Sequence, residues 1–272
     1  MEGVDWMRDA AFTPLCGERA TLAADRVYLL ADPEKYAVET AAGARTQLLI
    51  VHTRPASVTL SVSVAEDAEL AVAEIFLAEA FADFSIRQHG QSRCRMTTVE
   101  LTSANVKYGI DLDGAGARSE LDGLFLAGGK EHCEVAVRVN HNVPDCSSRS
   151  LVKGVAGGDA KGAFRGLVYV APDAQRTDAQ QTSRNIELTP TARIVTKPQL
   201  EIYADDVKCS HGAAVGQLDD DAILYMRQRG LSEVQARRLQ LEGFVGAIAA
   251  QCGVEAVRDR LYELIVEKLE RM

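Results

Sequence analysis

Runs of lysine and arginine are missing from this 272-residue chain, where 39 acidic residues outnumber 30 basic ones and leave a formal net charge of −9. Nucleic acid and anionic membrane both reward a positive patch, so neither is expected as a partner. No apolar stretch approaches the roughly 20 residues needed to span a bilayer. The most apolar window, Ala68 to Phe84, is broken by Glu69, Glu74, Glu79 and Asp83. Aromatic residues make up only 6%, with a single tryptophan, Trp6. That scarcity, with no evident paired-acid motif, argues against a polysaccharide cleft built from carboxylates and rings. No Gly-x-x-x-x-Gly-Lys-Ser/Thr loop is present, so the chain is not expected to hydrolyse ATP itself. The segment Met1 to Asp9 carries Glu2, Asp5 and Asp9 where a secretory leader would be basic and then apolar, which points to the cytoplasm. The cysteines (Cys16, Cys94, Cys133, Cys146, Cys209 and Cys252) are scattered, without a Cys-x-x-Cys. Reduced thiols, most of them small buried hydrophobes, are the expectation.

What the chain does have is many short strand patterns from about Thr21 to Val215. Gln47–Val51, Val58–Val64, Val106–Ile110, Leu121–Phe125, Val135–Val139 and Leu167–Val170 are rich in β-branched and aliphatic residues. Turn signals separate them, several of one kind: Glu66-Asp67-Ala68, Asp113-Gly114-Ala115-Gly116-Ala117, Gly157-Gly158-Asp159-Ala160 and Ala171-Pro172-Asp173-Ala174. A small residue after Asp or Gly at each corner suits stacked coils with tight bends, so a solenoid is preferred to a sandwich or barrel. Ala68–Phe84 is ambiguous, since its Ala, Leu and Glu content also suits a helix.

After Gly216 the pattern becomes helical. Asp219, Asp220 and Asp221 open a first helix, Arg227 and Arg229 close it, and Gly230 supplies a left-handed stop. Ser232 and Gln235 have capping-box spacing for a second helix, with Val234, Leu239, Leu241, Phe244, Val245 and Ile248 mostly on one face and Gly253 at its end. A third runs from about Val254 to Glu270, with Val257, Leu261, Leu264, Ile265 and Leu269 at helical spacing. Such helices would cap the open end of the solenoid.

The Lys197–Asp219 stretch concentrates the chemistry. Cys209 and His211 lie two apart on a strand and so share a face, their α-carbons roughly 6–7 Å apart. Thiol and imidazole are ligands for zinc or iron–sulfur chemistry, and two are too few for a closed site, so another segment or chain must supply the rest. A buried thiol and a satisfied histidine are the plainer alternative. His132 and Cys133 are adjacent and should face opposite ways. His141 reads as a structural corner residue, Lys153 and Arg176 as surface or corner charges, and Gln175, Thr177 and Gln181 as side-chain ladders. Glu201 with Asp205-Asp206 has no substrate context.

The stretch Arg118–Val245 resembles the SufB/SufD family of iron–sulfur cluster assembly proteins, its SufD branch most of all. The resemblance is carried, in order, by Val139-Asn140-His141-Asn142-Val143-Pro144, Ser150–Val155, Ala163–Val170 and Asp173–Thr182 with Asn185 and Leu188. Lys197–Gly216, including Lys208-Cys209-Ser210-His211-Gly212, and Leu224–Gly230 complete it. It implies a right-handed parallel β-helix core (residues 21–216) after a short N-terminal segment (1–20), followed by a small C-terminal α-helical domain (217–272). It also implies a non-catalytic scaffold subunit that pairs through its β-helix with a SufB-like subunit or with itself. A SufC-like ABC ATPase would dock on the first C-terminal helix through Asp221, Leu224, Tyr225, Arg227 and Arg229. His211, with Cys209 beside it, would serve a transient iron–sulfur cluster at the subunit interface, with none held by the isolated chain. The N-terminal helical region usual in the family is nearly absent here, which puts its functions, such as docking of sulfur donors, in question. The competing readings are a β-helix polysaccharide-active enzyme and a self-contained metal-binding protein.

Overall fold

The computed structural model describes residues 5–8 and 11–272. The strands among them, in chain order, are β1 (Phe12–Pro14), β2 (Arg19–Leu22), β3 (Val27–Ala31), β4 (Lys35–Thr40), β5 (Arg45–His52), β6 (Ala56–Val64), β7 (Glu69–Phe76), β8 (Ala80–Gln88), β9 (Arg93–Glu100), β10 (Ala104–Leu112), β11 (Arg118–Ala127), β12 (His132–His141), β13 (Ser147–Ala156), β14 (Lys161–Val170), β15 (Thr177–Glu187), β16 (Arg193–Ile202) and β17 (Val207–Gly216). Odd-numbered strands form one parallel sheet in sequence order and even-numbered strands another, so each coil lays one strand in each sheet. This is a parallel β-solenoid. Ala68–Phe84 resolves as β7, a turn and β8, the surrounding coils overriding its helical composition.

A repeated corner closes six of the coils. Gly43, Asp67, Gln91, Gly116, Asp145 and Arg176 all have positive φ where the chain passes from the even to the odd sheet. The residue after each is small or short and buried: Ala44, Ala68, Ser92, Ala117, Cys146 and Thr177. A left-handed residue turns the chain sharply and the next side chain plugs the corner, which explains the Asp- and Gly-rich turns in the sequence. At the last such corner Arg176 pairs with Asp145 at 2.6 Å.

Of the helices α1 (Asp220–Gln228), α2 (Glu233–Ala250) and α3 (Arg258–Arg271), the first two begin as the capping signals indicate, while α3 starts at Arg258 after a short 3-10 turn, later than the expected Val254 and without a side-chain cap. Asp219 Oδ1 accepts from Ala222 N at 3.1 Å, and Ser232 with Gln235 forms a reciprocal box. Their position differs from the expected end cap. Leu241, Val245, Ile248, Leu261 and Ile265 pack against Leu49, Val51, Ile75, Val99, Leu124 and Leu126 on the outer face of the odd sheet. The reason is that both faces of those strands are apolar, and the outer one needs a cover. Val234 and Leu239 of α2 are exposed rather than on its buried face. Lys153, read as a surface charge, is a clamp instead: its Nζ donates to the Phe244 carbonyl and lies 4.9 Å from that ring's centre. Lys268 ties α3 to Glu131 at 2.6 Å. No helix among the described residues is long and apolar enough to cross a membrane.

The lumen holds an acidic cluster in its middle coils. His52 Nε2 bonds Glu74 Oε1 at 2.8 Å, and Tyr108 donates to the other Glu74 oxygen. Glu100 is fully buried with neither oxygen partnered, and the Cys133 thiol nearby donates to Thr102 O. Burial raises the Glu74 carboxyl, and it raises Glu100 well above the usual range, helped by Glu74. A carboxyl raised on folding contributes most below its unfolded range, and that contribution is lost as pH climbs through the folded value. His141, buried against Ser148 at 2.8 Å, is lowered to about 4 by burial, so its contribution is lost in the opposite direction, as pH falls toward about 4. Glu100→Gln is therefore expected to stabilise the fold by roughly 1–3 kcal/mol at pH 8 and by much less at pH 5 in urea unfolding. Destabilisation at both pH values would contradict the unpaired reading of Glu100.

Candidate functional site at the open end of the solenoid

The coil formed by β16 and β17 ends the stack with nothing laid over it. Each of these ten-residue strands has a ladder partner on one side only: β14 for β16 and β15 for β17. The half of their backbone groups that points outward therefore lacks ladder bonds. The residues that point along the lumen here are uncovered as well. In β17 the run from Ser210 to Gly216 is exposed throughout, and Ile202, Tyr203 and Val215 are exposed apolar side chains. A long bare edge is a template on which another chain can pair.

Register fixes where the candidate ligands face. Ala179 pairs with Cys209 and Gln181 with His211. Ala179, Gln181, Ser183 and Asn185 are buried lumen residues, so Cys209 and His211 continue the lumen columns into the last rung. The predicted shared face is thus present, and it looks toward the open end. Cys209 is half-buried against Val168, Val170, Ala174, Ala179 and Ala204. Burial raises its thiol, partly offset by the Ala179 backbone, so it is protonated at neutral pH and must shed a proton to bind metal. His211 is exposed. No group of three or more His, Cys, Asp or Glu among the described residues could hold a metal ion. A cluster held at Cys209 and His211 would need ligands beyond the described residues.

The other candidates separate cleanly. His132 is exposed and Cys133 buried, on opposite faces as their adjacency requires. His141 lies between Ser148 and Thr177 as a structural residue. On α1, Asp221, Leu224, Tyr225, Arg227 and Arg229 are all exposed, while Ile223 is buried beneath them. The Arg229 guanidinium stacks 4.2 Å from the Tyr225 ring, and Arg227 reaches Glu233 at 3.4 Å. This helix lies far from Cys209 and His211 in chemistry but near in sequence, since only Gln217–Asp219 separate it from β17. That joint is fastened by Gln240, which accepts from Asp219 N at 3.1 Å and donates to Asp219 O at 2.8 Å. Sequence reasoning missed Gln240, because nothing local marks a contact across two helices.

The family described as "SUF system FeS cluster assembly, SufBD core domain" matches residues 18–244. The chain belongs to the SufBD family. Among curated SufBD proteins, Iron-sulfur cluster assembly protein SufD of Escherichia coli K12 is 35% identical over 158 residues, 58% of this chain and 37% of that protein. A SufBD family protein of Mycobacterium leprae is 39% identical over 175 residues, covering 61% of this chain and 44% of its own length. One from Synechocystis is 34% identical over 186 residues, covering 68% and 41%. The chain therefore spans less than half the length of these SufBD relatives.

Thiol chemistry tests the geometry. With iodoacetamide at neutral pH, exposed Cys16 is expected to be modified first, Cys209 more slowly, and buried Cys94, whose thiol is pushed up to about 12, last under native conditions. Peptide mass spectrometry over time reads the order; modification of Cys94 ahead of Cys209 would contradict the placement of the two thiols.

Proposed function

We propose that this SufBD protein is a SufD-like scaffold subunit in iron–sulfur cluster assembly. Its open end, formed by β16 and β17, pairs with the corresponding end of a SufB-like subunit or of a second copy. Pairing continues both sheets across the seam and covers the exposed lumen of the last coil. His211 and Cys209 then face residues of the partner, and together they supply a ligand set not found among the described residues alone. The cluster is cargo, assembled at the seam and passed on, and the chain does no chemistry of its own. All of this takes place in the cytoplasm.

The observation that carries this reading is the coincidence of a bare strand edge with a thiol–imidazole pair on the same strand. A neutral imidazole nitrogen and a thiolate both ligate iron, and both gain affinity as protons leave, so assembly weakens at acid pH. The exposed Leu224 and Tyr225 on α1 are the proposed anchors for a SufC-like ATPase, in keeping with the aromatic and apolar character of interface hot spots. The short Gln217–Asp219 joint would pass movement of that helix directly to β17. The polysaccharide reading has no support at the site, where no acid pair flanks an aromatic cleft. A self-contained metal site is disfavoured by the two-ligand count.

Anaerobic co-expression with SufB-like and SufC-like subunits provides the test. His211→Ala should lower iron and sulfide per complex by roughly tenfold or more, a ligand being worth at least what its supporting groups are. Tyr225→Ala with Leu224→Ala should instead release the ATPase from the purified complex by weakening binding roughly 30-fold or more, as loss of a hot spot does. An unchanged cluster yield in His211→Ala would remove it from the site, and full retention of the ATPase by the double variant would remove α1 as its anchor.

A further inference from the structure

The rung beneath His211 carries a side chain whose hydrogen-bonding capacity is unused. Gln181 of β15 is in register with His211 and on the same face, one coil further in. It is fully buried, and neither its carboxamide oxygen nor its nitrogen has a partner. Its neighbours along β15 are engaged: Asn185 Nδ2 donates to Ser183 Oγ at 2.9 Å and to Ala214 O at 3.2 Å, and Thr177 Oγ1 donates to Ala174 O at 2.9 Å. Asn185 keeps an idle oxygen, but it pairs in register with Val215, away from His211.

The fold makes room for this costly group. The Gln181 carboxamide lies across the lumen against Gly166 of β14, where a Cβ would collide with all three of its terminal atoms. Farther in, the same column holds Ser150, Leu121, Met96, Val72 and Leu48. Beyond Ser150 that column is apolar, and an aliphatic residue at 181 would be compatible with it. A buried amide without a partner is among the less favourable things a core can contain, so its presence one rung from the open end calls for a partner that arrives there.

His211 lacks the same thing in reverse. Among the described residues, neither ring nitrogen has a hydrogen-bond partner. An imidazole that ligates through one nitrogen is held by a bond from the other, which selects the tautomer and aims the ring. We propose that Gln181 is the positioning residue of the His211 site. When the seam closes and excludes water, the ring turns inward, and the Gln181 carboxamide oxygen accepts its N–H. The second nitrogen is left unprotonated and directed across the seam. This inference rests on the reading of His211 as a seam ligand.

The test reads the ring itself rather than cluster yield. The chain is labelled with ¹⁵N-histidine, paired with its SufB-like partner without iron, and the His211 ring nitrogen shifts report the tautomer ratio. In the wild-type complex one tautomer should dominate, with the ratio moving roughly tenfold toward that of free imidazole in Gln181→Leu. Urea unfolding of Gln181→Leu should show stability equal to or above wild type, because an unpartnered amide has been removed. Gln181→Met serves the same measurement where leucine does not fold. A wild-type ring with the free-imidazole mixture overturns the proposal without any variant, and so does an identical ratio in wild type and variant. If His211→Ala abolishes cluster yield while the ratio ignores residue 181, this inference alone fails. If His211→Ala leaves the yield unchanged, the ligand reading beneath it has failed instead.

Discussion

Everything in this molecule follows from the fact that a parallel coil is satisfied only by another coil. Each internal strand has both edges bonded and its lumen side chains covered above and below. The final coil has one of each. Its backbone edge, its exposed Ile202, Tyr203 and Val215, and its lumen residues Cys209 and His211 all lack the cover that a further coil would give. The helices, which might have closed this end, lie on the outer face of the odd sheet and leave it open. In the proposed function, stability and activity meet at one surface: what makes the end unfavourable alone is what would make it available to a partner.

The lumen changes character along its length, and the change matches this division. In the middle coils it is mainly aliphatic and aromatic, with Phe84, Tyr108, Phe125 and Phe164 fully buried. The acidic cluster of Glu74 and Glu100 is the exception, and its raised carboxyls avoid the charge that burial forbids. Toward the open end Ser150, Gln181, Ser183 and Asn185 replace the large apolar residues. A polar lumen contributes less to folding, so the last coils lean more on their ladders and on corner pairs such as Arg176 with Asp145. The family to which the chain belongs is one of iron–sulfur cluster assembly.

Much of this was legible in the sequence, for identifiable reasons. The two-residue period of strands put Cys209 and His211 on one face, and the Asp219 and Ser232–Gln235 signals placed the helix starts, because both are local. The corners were readable through Asp67 and Gly116, although the left-handed Gln91 and Arg176 carry no such mark. What could not be read was tertiary. The run Leu48-Leu49-Ile50-Val51 is apolar on both faces, a sign that something covers the outer side, yet nothing in it names the helices that do. Lys153 bonds Phe244, and Glu74 bonds His52 and Tyr108, across separations that only the coil register brings together. Gln181 looked like a ladder residue; its lack of a ladder partner is visible only in three dimensions.

Hydrogen exchange of the β17 backbone amides tests the central claim most directly. In the lone chain, those amides of Val207–Gly216 that point away from β15 should exchange rapidly, and in the complex with a SufB-like subunit they should become strongly protected, together with those at the outer edge of β16. Protection confined to the β1–β2 end or to the outer face of the even sheet, with β17 exchanging as fast as before, would contradict the account.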